Sequence, residues 1–211
     1  MSDLLPYRYF AAPYAFSTYS TVSRTCDLCG SYEPGYGGPF AGGRSGEPKV
    51  AHVCEDCMRL GKLASRGLAA NHGNRAALRD QLRDRFRDAP RDQLMSLVAQ
   101  RTAELEHRTP PLVSWQSLVW PAHCGDYCRY LKEAGRSDLV LLAPDRDGRA
   151  FLAAHGHGIA GPDHANELWE GIRPDAPSNI AVAYATGVYL FRCLECTRHV
   201  ILWDRESDTH G

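Results

Sequence analysis

The eight cysteines of this chain fall into four close pairs, and the spacing within each pair is that of a metal knuckle. The pairs are Cys26-x2-Cys29, Cys54-x2-Cys57, Cys124-x3-Cys128 and Cys193-x2-Cys196, with none left over. Two residues between cysteines let one tight turn aim both thiolates at a single ion, while N–H groups of the turn offset the charge on sulfur. Zinc takes four such ligands tetrahedrally at about 2.3 Å. Cys26, Cys29, Cys54 and Cys57, with 24 residues between the two pairs, form the pattern of a four-cysteine zinc ribbon, and Gly30 suits the backbone position that follows the first knuckle. Iron–sulfur ligation, redox dithiols and plain buried cysteines are the competing readings.

The second set is less regular. Cys124 and Cys128 share a face if a helical turn spans them. Together with Cys193 and Cys196 they make a second four-cysteine site that fastens the middle of the chain to its end. His123 is an alternative ligand there, but residues adjacent in sequence seldom ligate one ion together, and it reads as an ordinary neighbour. The cofactor expectation is therefore two structural Zn2+ ions. A catalytic zinc keeps one position open for water, whereas four thiolates close the shell. No catalytic residue is assigned, and the pattern points away from an enzyme. If the second zinc were catalytic, His123 or Asp126 would be the base toward its water. Otherwise Asp126, between two of the cysteines, reads as a group that orients a neighbour by hydrogen bonding.

Three segments position these residues. Residues 1–62 read as the zinc-ribbon module, because Gly35 to Gly46 cannot hold a helix and too few large apolar residues are present for a core of its own. Residues 63–108 read as helical. Asn74 caps a helix over Ala76 to Arg87, with Leu78, Leu82 and Phe86 four apart, and a second helix runs from Asp92 to Glu106. The arginines and aspartates between Arg79 and Asp88 read as a solvated face with local ion pairs. Residues 109–211 read as a mixed α/β domain carrying the second zinc site. A short helix is expected over Tyr127 to Glu133, strands at Leu139 to Ala143 and Ala150 to Ala154, a helix at His164 to Gly171, and strands at Ile180 to Arg192 and His199 to Trp203. The fold class is thus α+β. His155-Gly156-His157-Gly158 reads as a loop, and Trp115, Trp120, Trp169 and Trp203 as core.

Charge and hydropathy narrow the function. Lys plus Arg (24) and Asp plus Glu (25) leave a net charge of −1. That argues against nucleic acid as a general partner, since phosphate neutralisation requires a basic excess. No membrane-spanning run and no signal peptide are seen, which places the protein in the cytoplasm. There, disulfides are disfavoured. Phosphate-binding loops and nucleophile elbows are missing.

Further residues carry a family resemblance. Leu5-Pro6-x-Arg8-Tyr9, the two N-terminal CxxC pairs, Gly38-Pro39, Arg108-Thr109-Pro110 and Trp115-Gln116 come in the family's order. Two blocks follow, Trp120-Pro121-x-His123-Cys124-Gly125-Asp126-Tyr127-Cys128 and Tyr189-Leu190-Phe191-Arg192-Cys193-Leu194-x-Cys196, and then Asp204. In these the chain resembles the CbrC family of small bacterial proteins, associated with tolerance to a DNase colicin. It departs from the family at Cys54-Glu55-Asp56-Cys57, where Cys-Pro-Trp-Cys is usual, and in the arginine-rich segment Gly61 to Asp88. The resemblance implies an immunity or tolerance protein that binds a protein toxin, a nuclease, directly. A zinc-dependent hydrolase acting at the second site and a nucleic-acid-binding zinc-ribbon regulator are the alternatives.

Overall fold

The structure is a computed structural model that describes residues 7–43, 45–46, 48–114, 116, 118–175 and 185–205. It is a mixed α+β chain. In order, the elements are α1 (Pro13–Phe16), β1 (Tyr19–Thr25), β2 (Tyr32–Gly37), β3 (Ala41–Gly42), β4 (His52–Cys54), α2 (Glu55–Arg59), a 3-10 helix (Lys62–Arg66), β5 (Leu68–Ala69), β6 (His72–Gly73), α3 (Arg75–Arg85) and α4 (Arg91–Arg108). There follow β7 (Val119–Trp120), β8 (Ala122–His123), β9 (Asp126–Tyr127), β10 (Arg129–Glu133), α5 (Arg136–Leu142), α6 (Gly148–His155), α7 (Pro162–Gly171), β11 (Thr186–Arg192) and β12 (His199–Arg205).

The chain divides into two compact units. The first takes the described residues of Met1–Val113, Val119–Arg129 and Cys193–Cys196, and the second those of Ser114–Leu118, Tyr130–Arg192 and Thr197–Gly211. This division differs from the three consecutive segments expected at 1–62, 63–108 and 109–211. Ribbon and helices share one unit, and the last cysteine pair joins them.

In the first unit the antiparallel sheet β1-β2-β4 carries the ribbon, and three two-stranded ladders, β3-β5, β6-β7 and β8-β9, accompany it. Gly35 lies opposite Cys54 in the β2–β4 register. A Cβ there would stand 2.3 Å from the Val53 carbonyl oxygen, so glycine lets the two strands close at this point. The segment Gly35 to Gly46, whose composition predicts a loop between short strands, holds the end of β2 and all of β3. Helix α3 starts where Asn74 accepts a hydrogen bond from the Ala77 N–H at 3.0 Å, as expected of its cap. It buries Leu78 and Leu82, four residues apart. Helix α4 buries Leu94, Val98, Thr102 and Leu105, the stripe that a 3.6-residue period lays on one side.

In the second unit the sheet order is β10-β11-β12. Strand β11 is the middle one, and all of its residues but Arg192 are buried. This accounts for its continuous apolar sequence. The expected strand start at residues 180–184 lies outside the described residues. Leu139, Leu152, Leu168, Val188, Leu190 and Ile201 form the heart of this unit's core.

Three expected elements are different. Leu139 to Ala143 and Ala150 to Ala154 belong to helices α5 and α6, not to strands. Short apolar runs do not distinguish a strand from a buried helix, and here the capping groups decide. The Asp138 carboxylate accepts from the Gly135 N–H at 3.0 Å. Asp147 Oδ1 accepts from the N–H groups of Arg149 and Ala150, both at 3.0 Å. Asp145-Arg146-Asp147-Gly148, whose composition predicts a turn between the two expected strands, is therefore a helix start. Conversely, Tyr127 to Glu133 is not helical: it holds the end of β9 and β10, whose partner is β11.

Candidate metal centres

The first cluster is built from two knuckles. Cys26 ends the β1 side of a turn closed by Gly30 N–H to Cys26 O at 2.8 Å and Cys26 N–H to Ser31 O at 2.8 Å. Gly30 has φ +78°, a conformation that favours glycine. Cys54 ends β4, and Cys57 lies in the first turn of α2. Asp27 ties the knuckles together. Its Oδ2 accepts from the N–H groups of Ala51 (2.7 Å) and His52 (2.9 Å), and its own N–H donates to His52 O at 3.0 Å.

The four sulfurs of Cys26, Cys29, Cys54 and Cys57 lie within 4.8 Å of one another. Cys29 Sγ and Cys54 Sγ are 3.7 Å apart, against about 3.8 Å for two sulfurs on a tetrahedral zinc at 2.3 Å. No disulfide joins any of the eight cysteines. The Ser31 hydroxyl, 3.1 Å from Cys29 Sγ, helps to pull that thiol down to about 6. Burial and the neighbouring sulfurs push Cys57 up. Four thiols crowded in this way favour a cation that takes the place of their protons.

The second cluster differs from the expected set. The four residues whose donor atoms lie within 4.8 Å of one another are His123, Cys124, Cys193 and Cys196. Cys128 is not among them, and His123 stands in its place. The reason is local. Strands β8 and β9 pair His123 with Asp126 and Ala122 with Tyr127. Cys124 (φ 55°) and Gly125 (φ 76°) make the two-residue turn between them, the positive-φ geometry that matches strand twist. Cys128 then lies two residues down the ladder, its N–H on Pro121 O at 2.9 Å and its carbonyl accepting from Trp120 Nε1 at 2.7 Å. The helical turn that would have put Cys124 and Cys128 on one face does not form. Cys128 is fully buried, and burial raises its pKa, which keeps the thiol neutral. His123 Nδ1 is instead 3.2 Å from Cys124 Sγ and 3.4 Å from Cys196 Sγ, near the roughly 3.6 Å of a tetrahedral N,S pair.

Residues not singled out in the sequence hold this hairpin. Gln81 of α3 donates from Nε2 to Ala122 O (2.9 Å) and accepts at Oε1 from the Gly125 N–H (3.0 Å). Arg85, one turn later, donates to Cys124 O at 3.0 Å and pairs with Glu195 between the last two cysteines. Their spacing of four on one helix face was the available signal. Asp126 takes Arg8 on Oδ2, the Tyr9 hydroxyl on Oδ1 at 2.8 Å, and the Tyr127 N–H at 2.8 Å. It thus anchors Arg8 and Tyr9 to the hairpin.

The remaining candidates are accounted for without a ligand. His155 Nδ1 meets His199 O at 3.1 Å, and its ring lies 4.3 Å from that of Phe151. Trp120 and Trp169 are buried, and Trp203 Nε1 donates to His157 O at 3.0 Å. Trp115 lies outside the described residues. Among these residues no helix is long and apolar enough to cross a membrane.

A family described as "Uncharacterised protein family (UPF0167)" matches residues 4–205. The chain is similar to UPF0167 protein PA1536 of Pseudomonas aeruginosa, 26% identical over 204 residues, covering 93% of this chain and 94% of the relative. It is also similar to UPF0167 protein Mb2317 of Mycobacterium bovis, 28% identical over 199 residues, covering 94% of this chain and 91% of that one. No solved structure matches.

Proposed function

The chain belongs to the UPF0167 family, and from that premise we propose that it is a cytoplasmic two-zinc protein of the CbrC type that protects its cell by binding a toxin, a nuclease. The observation that carries the binding role is that each cluster brings together four protein donors within 4.8 Å. Four such donors complete a tetrahedral shell and leave no position for a substrate or an attacking water. Thiolate and imidazole donors suit zinc. Bound zinc would cross-link the two knuckles of the ribbon, and would join the β8–β9 turn to Cys193 and Cys196. The toxin is supported by the resemblance of the His123–Cys128 and Tyr189–Cys196 blocks to the CbrC family.

The chemistry is tested by metal content: two zinc ions per chain are expected, with no thiol reactive before chelation. The biology is tested by purifying the tagged chain from cells that carry its genomic neighbours, and by challenging those cells with the neighbouring toxin. Stoichiometric recovery of the toxin together with protection supports the reading. Recovery of none, with no protection, overturns it.

A further inference from the structure

Helices α3 and α4 leave a groove between them with an unusual charge distribution. Two concavities of about 460 and 360 Å3 adjoin there, both lined by Arg79 and Met95. On α3, Arg75, Arg79 and Arg83 follow one another at intervals of four, and Arg87, in the turn just past the helix end, lines the same concavity as Arg79 and Arg83. On α4, Arg91, Met95, Ala99 and Ala103 do the same. A spacing of four keeps residues on one side of a helix. The result is a basic row facing the apolar side chains of Met95, Ala99 and Ala103, with Val98 also in the lining.

The two ends differ in charge. At the first, Arg75 is held by Glu106 at 2.6 Å. At the other, Arg79, Arg83, Arg87 and Arg91 line one concavity that has no carboxylate in its lining. Arg79 pairs with Asp80, while Arg83, Arg87 and Arg91 have no ion pair among the described residues. Asp80 and Asp84 each lie one residue beyond an arginine of the row, so on α3 they turn roughly 100° away from it. Met95 is 47% exposed beside these cations.

We propose that this groove docks an acidic amphipathic segment of a partner protein, its apolar side on Met95, Val98 and Ala99 and its carboxylates on Arg83, Arg87 and Arg91. Charge complementarity selects the acid. The apolar floor and Glu106 at one end select a peptide over a nucleic acid, whose backbone is anionic throughout and offers nothing to Met95. The proposal is independent of whether the partner is a toxin, and its test uses no toxin.

The probe is a fluorescent peptide of about 15 residues, roughly 22 Å long as a helix, with glutamates on one side and leucines on the other. Anisotropy is measured on the zinc-loaded full chain. Binding that weakens with salt is expected, about tenfold weaker in Arg83→Glu/Arg87→Glu and in Met95→Glu, and unchanged in Arg24→Glu on β1. All substituted positions are exposed, and circular dichroism with metal content verifies that each variant folds. The proposal is overturned if the peptide does not bind, if a version with lysine for glutamate binds equally, if single-stranded DNA of similar length binds more tightly, or if the groove variants bind like the parent.

Discussion

At the scale of single residues, the fourth donor of the second cluster is the sharpest question. His123→Ala should remove one of the two metal ions per chain, whereas Cys128→Ala should keep both and cost only the buried volume of a thiol, about 1 kcal/mol. Metal analysis of the two purified variants separates the roles, and the opposite pattern would restore Cys128 as the ligand. The thiols also set a pH dependence. Burial and the neighbouring sulfurs push Cys124 up to about 12 and raise Cys57, so in the metal-free fold both hold protons at neutral pH. Metal must displace those protons, and its affinity should fall about tenfold per pH unit for each proton displaced. A competition titration with a chromogenic chelator from pH 8 downward, about one unit per step, measures the slope. The metal-free fold responds in the other direction. A folded thiol pKa above the unfolded one stabilises the fold below the unfolded value, about 8.5, and that stability is lost as pH rises through the folded value. Cys128 illustrates the limit of reading residues by spacing: its distance from Cys124 suits a helical turn, but a two-residue hairpin turn stands there.

At the scale of elements, helix starts are where side-chain chemistry is most visible. Asn74→Ala removes the acceptor that caps α3, and about 1 kcal/mol of stability should go with it, while Asn74→Asp should be nearly neutral. Chemical denaturation of both variants is the check. Because Gln81 and Arg85 of this helix hold the Cys124 turn, the alanine variant should also bind metal more weakly at the second cluster. The hairpin has its own anchor in Asp126. Asp126→Ala would leave the Tyr9 hydroxyl and the Tyr127 N–H without their acceptor and should cost about 1–2 kcal/mol, read from the same denaturation curves. Asn74 was legible as a cap because it precedes a periodic apolar run. Asp147 was misread because Asp-x-Asp-Gly serves equally as a turn and as a helix start, and the run after it was too short for its period to decide.

At the scale of the whole molecule, both clusters lie in one of the two units, and the other unit has an apolar core of its own. Metal removal should therefore act unevenly. After chelation, hydrogen exchange should rise first across β1, β2, β4 and the β8–β9 hairpin, with α5, α6 and α7 keeping their protection. Uniform loss would show a single cooperative unit instead. By itself the sequence determined what short-range geometry controls. It set the knuckle spacings, the Asn74 cap and the four-residue stripes of α3 and α4, because each depends on residues within a turn or two of one another. The tertiary structure decided what depends on closure over long distances. It brought Cys193 and Cys196 to the Cys124 turn, put His123 rather than Cys128 beside them, and faced the arginine row of α3 with the apolar row of α4. A donor set is chosen by which atoms converge on one point, and residues as far apart as Cys124 and Cys193 carry no local signal of that convergence.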